Sequence, residues 1–212
     1  MVKIYDNIIS KKEQEEIKKT LVDESQARSF SWFFKPDVTI TGNKHQKRSG
    51  FAHIFLTEGK INSHFYKLIE PIIINTAKKI KIKVKNVIQA RSFLQLPLNK
   101  DYTGEGVDTP HLDRFEPHTV FLYYVCDSDG DTIIYNYRSK DKNDIPYAED
   151  VKELKRVTPK QGRVVVFDGL HWHTAEQPTK DIRCILNFNI NQHWQITISM
   201  IYYNTIKEIE YE

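Results

Sequence analysis

His111 and Asp113 stand two residues apart, His173 lies far downstream, and Arg183 follows ten residues after that. A histidine and a carboxylate at this spacing both reach one metal ion from a strand end or the turn after it. A second imidazole from another strand completes one face of an octahedron and leaves the other face open. Two nitrogen donors and one carboxylate on such a face suit Fe(II). An arginine a strand-length beyond the second histidine offers a planar fork to a carboxylate. H-x-D alone arises often by chance; the distal histidine, the arginine and their strand contexts give the pattern its weight.

The second histidine is open on spacing alone. After the turn Pro159-x-x-Gly162 and the apolar run Arg163–Phe167 come His171, Trp172 and His173. His171 and His173 share a face of an extended segment. We take His173 as the ligand, because its distance from Arg183 fits a loop, Gln177–Asp181, and a return strand. On that strand Arg183, Ile185, Asn187 and Asn189 share one face. Three polar residues there need a polar cavity or solvent. A cavity fits a site; a solvent face with Cys184, Leu186 and Phe188 as core is the plainer alternative.

Upstream of His111, Gly104, Gly106, Asp108 and Pro110 form a polar loop that suits a pocket rim. Downstream, the apolar run Val120–Cys126 and the turn Asp127–Thr132 predict a hairpin. Leu122, Tyr124 and Cys126 share one face, and a buried Tyr124 hydroxyl needs a partner, from backbone or from an acid in the pocket.

Elements that would carry these residues are legible in outline. Residues 1–9 read as a strand and turn. Ser10-Lys11-Lys12-Glu13 is a capping box opening a helix to about Asp23. Residues 24–50 read as irregular, with Phe30, Trp32, Phe33 and Phe34 as either a substrate grip or a small core under a loop. Asn62 or Ser63 caps a second helix bearing Phe65, Leu68, Ile69, Ile72 and Ile73, in which Pro71 predicts a kink or a break. From Ile80 the period changes to two, with Lys81, Lys83 and Lys85 on a solvated face or an anion-binding patch. Strands are expected at Val87–Leu96, Thr119–Cys126, Thr132–Tyr137, Glu153–Thr158, Gly162–Phe167, Ile182–Ile190 and Thr197–Tyr203. The fold class is mainly β with flanking helices.

At 212 residues the chain makes one domain, with residues 1–80 as helical support and lid and 81–205 as the β core. Lids are expected at 30–50 and 98–109. Hydrophobic content of 40%, charged content of 28% and a net charge of +3 are those of an ordinary soluble protein, and give no ground for a membrane or nucleic-acid partner. The lysine strand lacks interleaved aromatics for base stacking. No secretory h-region or membrane-spanning run is visible. Cys126 and Cys184 have no metal-ligand spacing, so a reduced, intracellular, cytoplasmic protein is expected.

From about Val87 to Ile190 the chain resembles the 2-oxoglutarate- and Fe(II)-dependent dioxygenase superfamily, in particular its prolyl 4-hydroxylase-like branch. The resemblance rests on His111-x-Asp113, Leu122-Tyr123-Tyr124, Gly130-Asp131-Thr132, and Pro159-x-x-Gly162-x-x-x-x-Phe167 leading to His173 and Arg183. It implies a double-stranded β-helix, a cupin-like jelly-roll, supported by N-terminal helices. It implies catalytic Fe(II) on His111, Asp113 and His173. Arg183 would pair with the distal carboxylate of 2-oxoglutarate, with Tyr124 and Asn189 as further cofactor contacts. O2 would be the second co-substrate, ascorbate a possible reductant, and succinate and CO2 the products. Asp113 points to hydroxylation, because halogenating relatives carry a small residue there. Many relatives have two glycines where this chain has Asp129-Gly130-Asp131-Thr132. The loop from Leu96 to His111 is long for the branch, leaving Arg91 and Gln95 as candidates for a first-strand contact.

The substrate expected from the resemblance is a peptidyl proline, then a free amino acid or other small molecule. Two rival classes stand beside this reading. A cupin-like binding module without catalysis needs neither Arg183 nor an open coordination face. A zinc hydrolase fits two histidines and a carboxylate but needs a glutamate base, for which Glu116 and Glu176 are the near candidates.

Overall fold

The computed structural model describes residues 2–23, 30–38, 48–98, 107–141, 143, 144, 146 and 151–193. Eleven strands and two helices follow the order β1 (Lys3–Tyr5), α1 (Lys11–Val22), β2 (Phe33–Lys35), β3 (Gly50–Thr57), β4 (Lys60–Ile61), α2 (Tyr66–Ile80), β5 (Lys83–Gln95), β6 (Thr119–Tyr124), β7 (Thr132–Arg138), β8 (Glu153–Val157), β9 (Val164–Asp168), β10 (His171–Ala175) and β11 (Arg183–His193). An eight-stranded sheet runs β1-β9-β6-β11-β5-β3-β2, with β4 on β3; a three-stranded sheet runs β10-β7-β8. The strand pairs are antiparallel. Two facing sheets with helices outside make the expected double-stranded β-helix, mainly β.

The large sheet is covered on both faces. Outside, Ile17 and Leu21 of α1 and Ile69, Ile72 and Ile73 of α2 pack on Phe121, Tyr123, Leu186 and Phe188. Inside, Val120, Leu122, Tyr124, Val165, Phe167 and Ile185 pack on Ile134 and Val157 of the small sheet. Strand β6 is therefore buried at every residue. A side chain of this size contributes about 1.5–3 kcal/mol when fully buried, so β6 is the rigid centre on which the site is built.

Both helices start and stop for local reasons. Ser10 N–H donates to the Glu13 carboxylate at 2.8 Å and Glu13 N–H to the Ser10 hydroxyl at 3.3 Å, closing the expected capping box. Helix α2 runs unbroken through Pro71; its N-cap is Phe65, without a side-chain cap, rather than Asn62 or Ser63, although Ser63 Oγ accepts Phe65 N–H at 3.3 Å. Pro71 is only half-buried, while Ile69 and Ile72 beside it are fully buried, and their packing outweighs the missing backbone bond. The helix ends at Lys81 in the left-handed region, where Ile82 N–H reaches Ala77 O at 3.0 Å.

The N-terminal 80 residues are more than helical support and lid: β1, β2, β3 and β4 all join the large sheet. Strand β3, within and just after the stretch expected to be irregular, has no clean alternation because residues on both its faces are buried and its register slips between Ile54 and Leu56. Strand β10 also went unforeseen. The strand expected at Thr197–Tyr203 lies outside the described residues, as do 39–47 of the first expected lid and 99–106 of the second. No described helix is long and apolar enough to cross a membrane.

Candidate metal centre

His111 lies just before the central strand β6 and β10 carries His173. An isolated antiparallel bridge joins the two: His111 N–H donates to His173 O at 2.9 Å, and His173 N–H to His111 O at 3.1 Å. The imidazole centroids are then 4.8 Å apart. Each ring is turned by its own Nδ1. That of His111 donates to Thr109 O at 3.1 Å, and that of His173 to His171 O at 3.1 Å. A carbonyl can only accept, so each Nδ1 carries a proton, and in the neutral ring the lone pair is on Nε2. With the Asp113 carboxylate, one ligand atom from each residue lies within 4.8 Å of the others.

Asp113 is 1% exposed in its side chain. Its Oδ2 lies 3.8 Å from His173 Nε2 and accepts the Asn187 Nδ2–H at 2.9 Å. Its other oxygen is ion-paired with Arg91. Burial raises the carboxyl's pKa, but Arg91, then His173, His111 and Asn187 outweigh it and hold the group well below the usual carboxylate range. Burial, with His111 beside it, pushes His173 down to about 4. An ionised carboxylate and two neutral imidazoles, with lone pairs facing one point, fit a small divalent cation. His171 is not part of this group: β10 bulges between His171 and His173, and His171 Nδ1 donates to Tyr135 O at 3.0 Å.

Arg183 sits at the other end of the same cavity and is 4% exposed. Its Nε donates to Gly130 O at 2.9 Å, one Nη to Gln95 Oε1 at 3.0 Å and the other to Thr132 Oγ1 at 2.8 Å. Burial lowers its pKa below the ordinary arginine value. Gln95 also donates to Asp108 at 3.0 Å, and Asp108 is ion-paired with Arg48. The guanidinium is thus fixed by neutral acceptors, and the nearby carboxylate already has a cation.

The cavity holds about 300 Å³. Its floor is the inner face of the large sheet, in rows set by register. Gln95 pairs with Arg183; Ala52, Phe93 and Ile185 form the next row; Ile54, Arg91, Asn187 and Leu122 form the one after. The site therefore runs from a cationic end, across an apolar row, to the metal ligands.

Two expected cofactor contacts sit elsewhere. Tyr124 is fully buried and donates to Thr132 Oγ1 at 2.8 Å; it backs Thr132 and does not line the cavity. Asn189 is 0% exposed, with both amide atoms unpartnered. It shares a face with Arg183 but lies six residues on, about 20 Å along the strand, and belongs to the metal end. Thr132, which closes the Asp129–Thr132 turn, and Asn187, beyond its shared face, had no sequence signal of their roles; Arg91 and Gln95 were candidates and both line the cavity.

No protein-family profile matches the chain, and no curated protein matches it in sequence. Solved structures match its fold. A prolyl hydroxylase of Trichoplax adhaerens, in complex with a peptide fragment of the hypoxia inducible factor oxygen degradation domain, is 13% identical over 89% of this chain and 82% of its own, with a TM-score of 0.56. The collagen prolyl hydroxylase of Paramecium Bursaria Chlorella virus-1, in its 2-oxoglutarate complex, is 12% identical over 89% and 94%, with a TM-score of 0.53. A 2OG-Fe(II) oxygenase family oxidoreductase of Burkholderia pseudomallei is 11% identical over 91% and 85%, with a TM-score of 0.61. At such identities the likeness is one of fold, and it extends over most of each chain.

Proposed function

We propose that this chain is a 2-oxoglutarate- and Fe(II)-dependent dioxygenase that hydroxylates a peptide or small-molecule substrate, consuming O2 and releasing succinate and CO2. One observation carries the reading: His111, Asp113 and His173 converge at one end of a cavity whose other end is Arg183. Asn187 and Arg183 are four residues apart on β11, about 13 Å by strand rise. That span suits an arginine side chain plus a short dicarboxylate reaching the metal. The similar prolyl hydroxylases, one of them with a peptide bound, support the class.

Each residue has a role in this chemistry. Fe(II) held by His111, Asp113 and His173 supplies oxygen activation, with 2-oxoglutarate as the reductant. The Nδ1 protons, fixed on backbone carbonyls, keep both imidazoles as neutral donors. Arg183 pairs with the distal carboxylate, and Thr132, already accepting from Tyr124 and Arg183, turns its own hydroxyl proton toward that carboxylate. Phe93 and Ile185 line the methylenes between and keep water off them.

The test is succinate formation from 2-oxoglutarate by protein loaded anaerobically with Fe(II), with ascorbate present, then given O2. Succinate that disappears in Asp113→Ala supports the oxygenase. Absence of succinate, together with no calorimetric binding of 2-oxoglutarate to Zn(II)-loaded protein, would leave a cupin-like binding module instead.

A further inference from the structure

We propose that the substrate is a small molecule bearing a carboxylate, and that Arg91 binds that group. The inference rests on the reading above and narrows its substrate class.

The charges around the cavity are the starting point. Asp108 is matched by Arg48, and Lys35 and Asp37, which also line the cavity, carry opposite charges that cancel. What remains is Arg183, Arg91 and Asp113. A divalent cation, two guanidiniums, one carboxylate ligand and a dianionic co-substrate leave one positive charge over. The excess lies with Arg91, because Asp113 then shares its charge with the metal and the co-substrate's carboxylates are taken by Arg183 and the metal. An arginine in a partly enclosed cavity draws an anion more strongly than one in open water.

The geometry agrees. Arg91 lines the cavity with 20% of its side chain exposed. A guanidinium carries five N–H donors. One Nη holds Asp113, and Nε is buried without a partner. A planar fork holding Asp113 at one position has donors left for a second carboxylate. Beneath it lies the Phe93 ring, 5.1 Å from the guanidinium carbon, which fixes the plane of the fork. Next to it on β5, on the same face, is Gln89, which also lines the cavity and whose side chain makes no hydrogen bond to any described residue. Across the row, Ile54 is 44% exposed and gives an apolar seat.

A carboxylate on Arg91 stands beside the ligand Asp113, so the reacting C–H is only a few bonds from that acid group. This favours a compact acid such as a free amino acid. The backbone inside a peptide chain offers no carboxylate there. A cavity of about 300 Å³ also has little room beyond the co-substrate and one compact ligand.

The test uses full-length protein loaded with Mn(II) and saturated with 2-oxoglutarate under nitrogen. Paramagnetic relaxation of propionate protons is compared with that of propionamide, the same shape without the charge. We expect about tenfold more enhancement for propionate, a contrast lost in Arg91→Gln and partly kept in Arg91→Lys. Equal enhancement in the unaltered protein, or a contrast that survives Arg91→Gln with Mn(II) still bound, overturns the inference. If Arg91→Gln does not fold or hold Mn(II), the wild-type contrast and Arg91→Lys decide. Calorimetry of 2-oxoglutarate is run first: no binding there sinks the oxygenase reading and this inference with it, whereas binding without the propionate contrast sinks the inference alone.

Discussion

Nε2 of His173 and Oδ2 of Asp113 face one another across 3.8 Å, although one sits on the small sheet and the other follows a loop some sixty residues earlier. Neither residue alone makes the site; the backbone bridge from His111 to His173 sets the separation. Removing either side chain should lower Mn(II) or Co(II) affinity by about a hundredfold or more, at or beyond the upper end of outer-shell losses. His171→Ala should leave it within a few-fold. Titration followed by electron paramagnetic resonance separates the two, and comparable losses in His171→Ala and His173→Ala would refute the ligand assignment.

Thr132 joins Arg183, at the end of the cavity, to Tyr124 behind it. Its hydroxyl accepts from both Tyr124 and Arg183. Thr132→Val keeps the shape and removes that acceptor, leaving one Arg183 Nη–H without its partner and the Tyr124 hydroxyl with only the longer contact to Val157 O at 3.4 Å. The expected cost is about 1–3 kcal/mol of stability, with roughly tenfold weaker 2-oxoglutarate binding. Tyr124→Phe should cost stability by about 1 kcal/mol and leave the co-substrate affinity nearly unchanged. Denaturant titration and calorimetry on both variants check the pair.

Gly162 ties the turn before β9 to helix α1. Its φ is +79°, and a Cβ built there would lie 2.2 Å from Oε1 of Gln14. Gln14 is itself fixed, donating to Ile9 O at 2.9 Å and to Asn7 Oδ1 at 3.1 Å. Gly162→Ala should therefore destabilise the fold by about 1–3 kcal/mol, with the metal affinity of the remaining folded protein preserved. Urea unfolding and metal titration of the same sample measure the two effects apart.

Asp129 holds the loop that leads into Arg183. Burial pushes its carboxyl up, but the hydroxyl and N–H of Thr179 and the N–H groups of Asp181 and Lys180 outweigh that and bring it to about 2. An unfolded aspartate titrates near 3.9. The folded pKa is the lower one, so the stabilisation is present above about pH 4 and is lost as pH falls toward 2. Asp129→Asn should flatten the acid limb of a stability-versus-pH curve, read by urea unfolding between pH 2 and 6. An unchanged limb would place the acid sensitivity elsewhere.

The candidate ligand set was legible in the sequence because metal binding restricts residue type and spacing severely. His111, Asp113 and His173 are brought together as the spacing predicts, and so is the polar face of β11. What surrounds them was not legible. Arg91 meets Asn187 only through the β5–β11 register, which slips twice along its length, and no local pattern encodes a register. Parity placed Asn189 on the same face as Arg183, but parity is silent on distance along the strand. Tyr124 was expected to meet a pocket acid or backbone; its hydroxyl reaches the backbone Val157 O at 3.4 Å but meets Thr132 more closely at 2.8 Å, and a lone threonine after a turn carries no signal. Strand β3 hid for the opposite reason, since a strand buried on both faces loses the alternation by which strands are read.

The cavity is closed at Arg183 and more open toward Ile54. On the proposed reading, a ligand bound for Arg183 must first pass Arg91 and Asn187. Whatever settles on Arg91 then blocks the way behind it. Association has a compulsory order, dicarboxylate first and substrate second. At high concentration the acid substrate should trap the protein in a dead-end complex, and that inhibition should be competitive with 2-oxoglutarate.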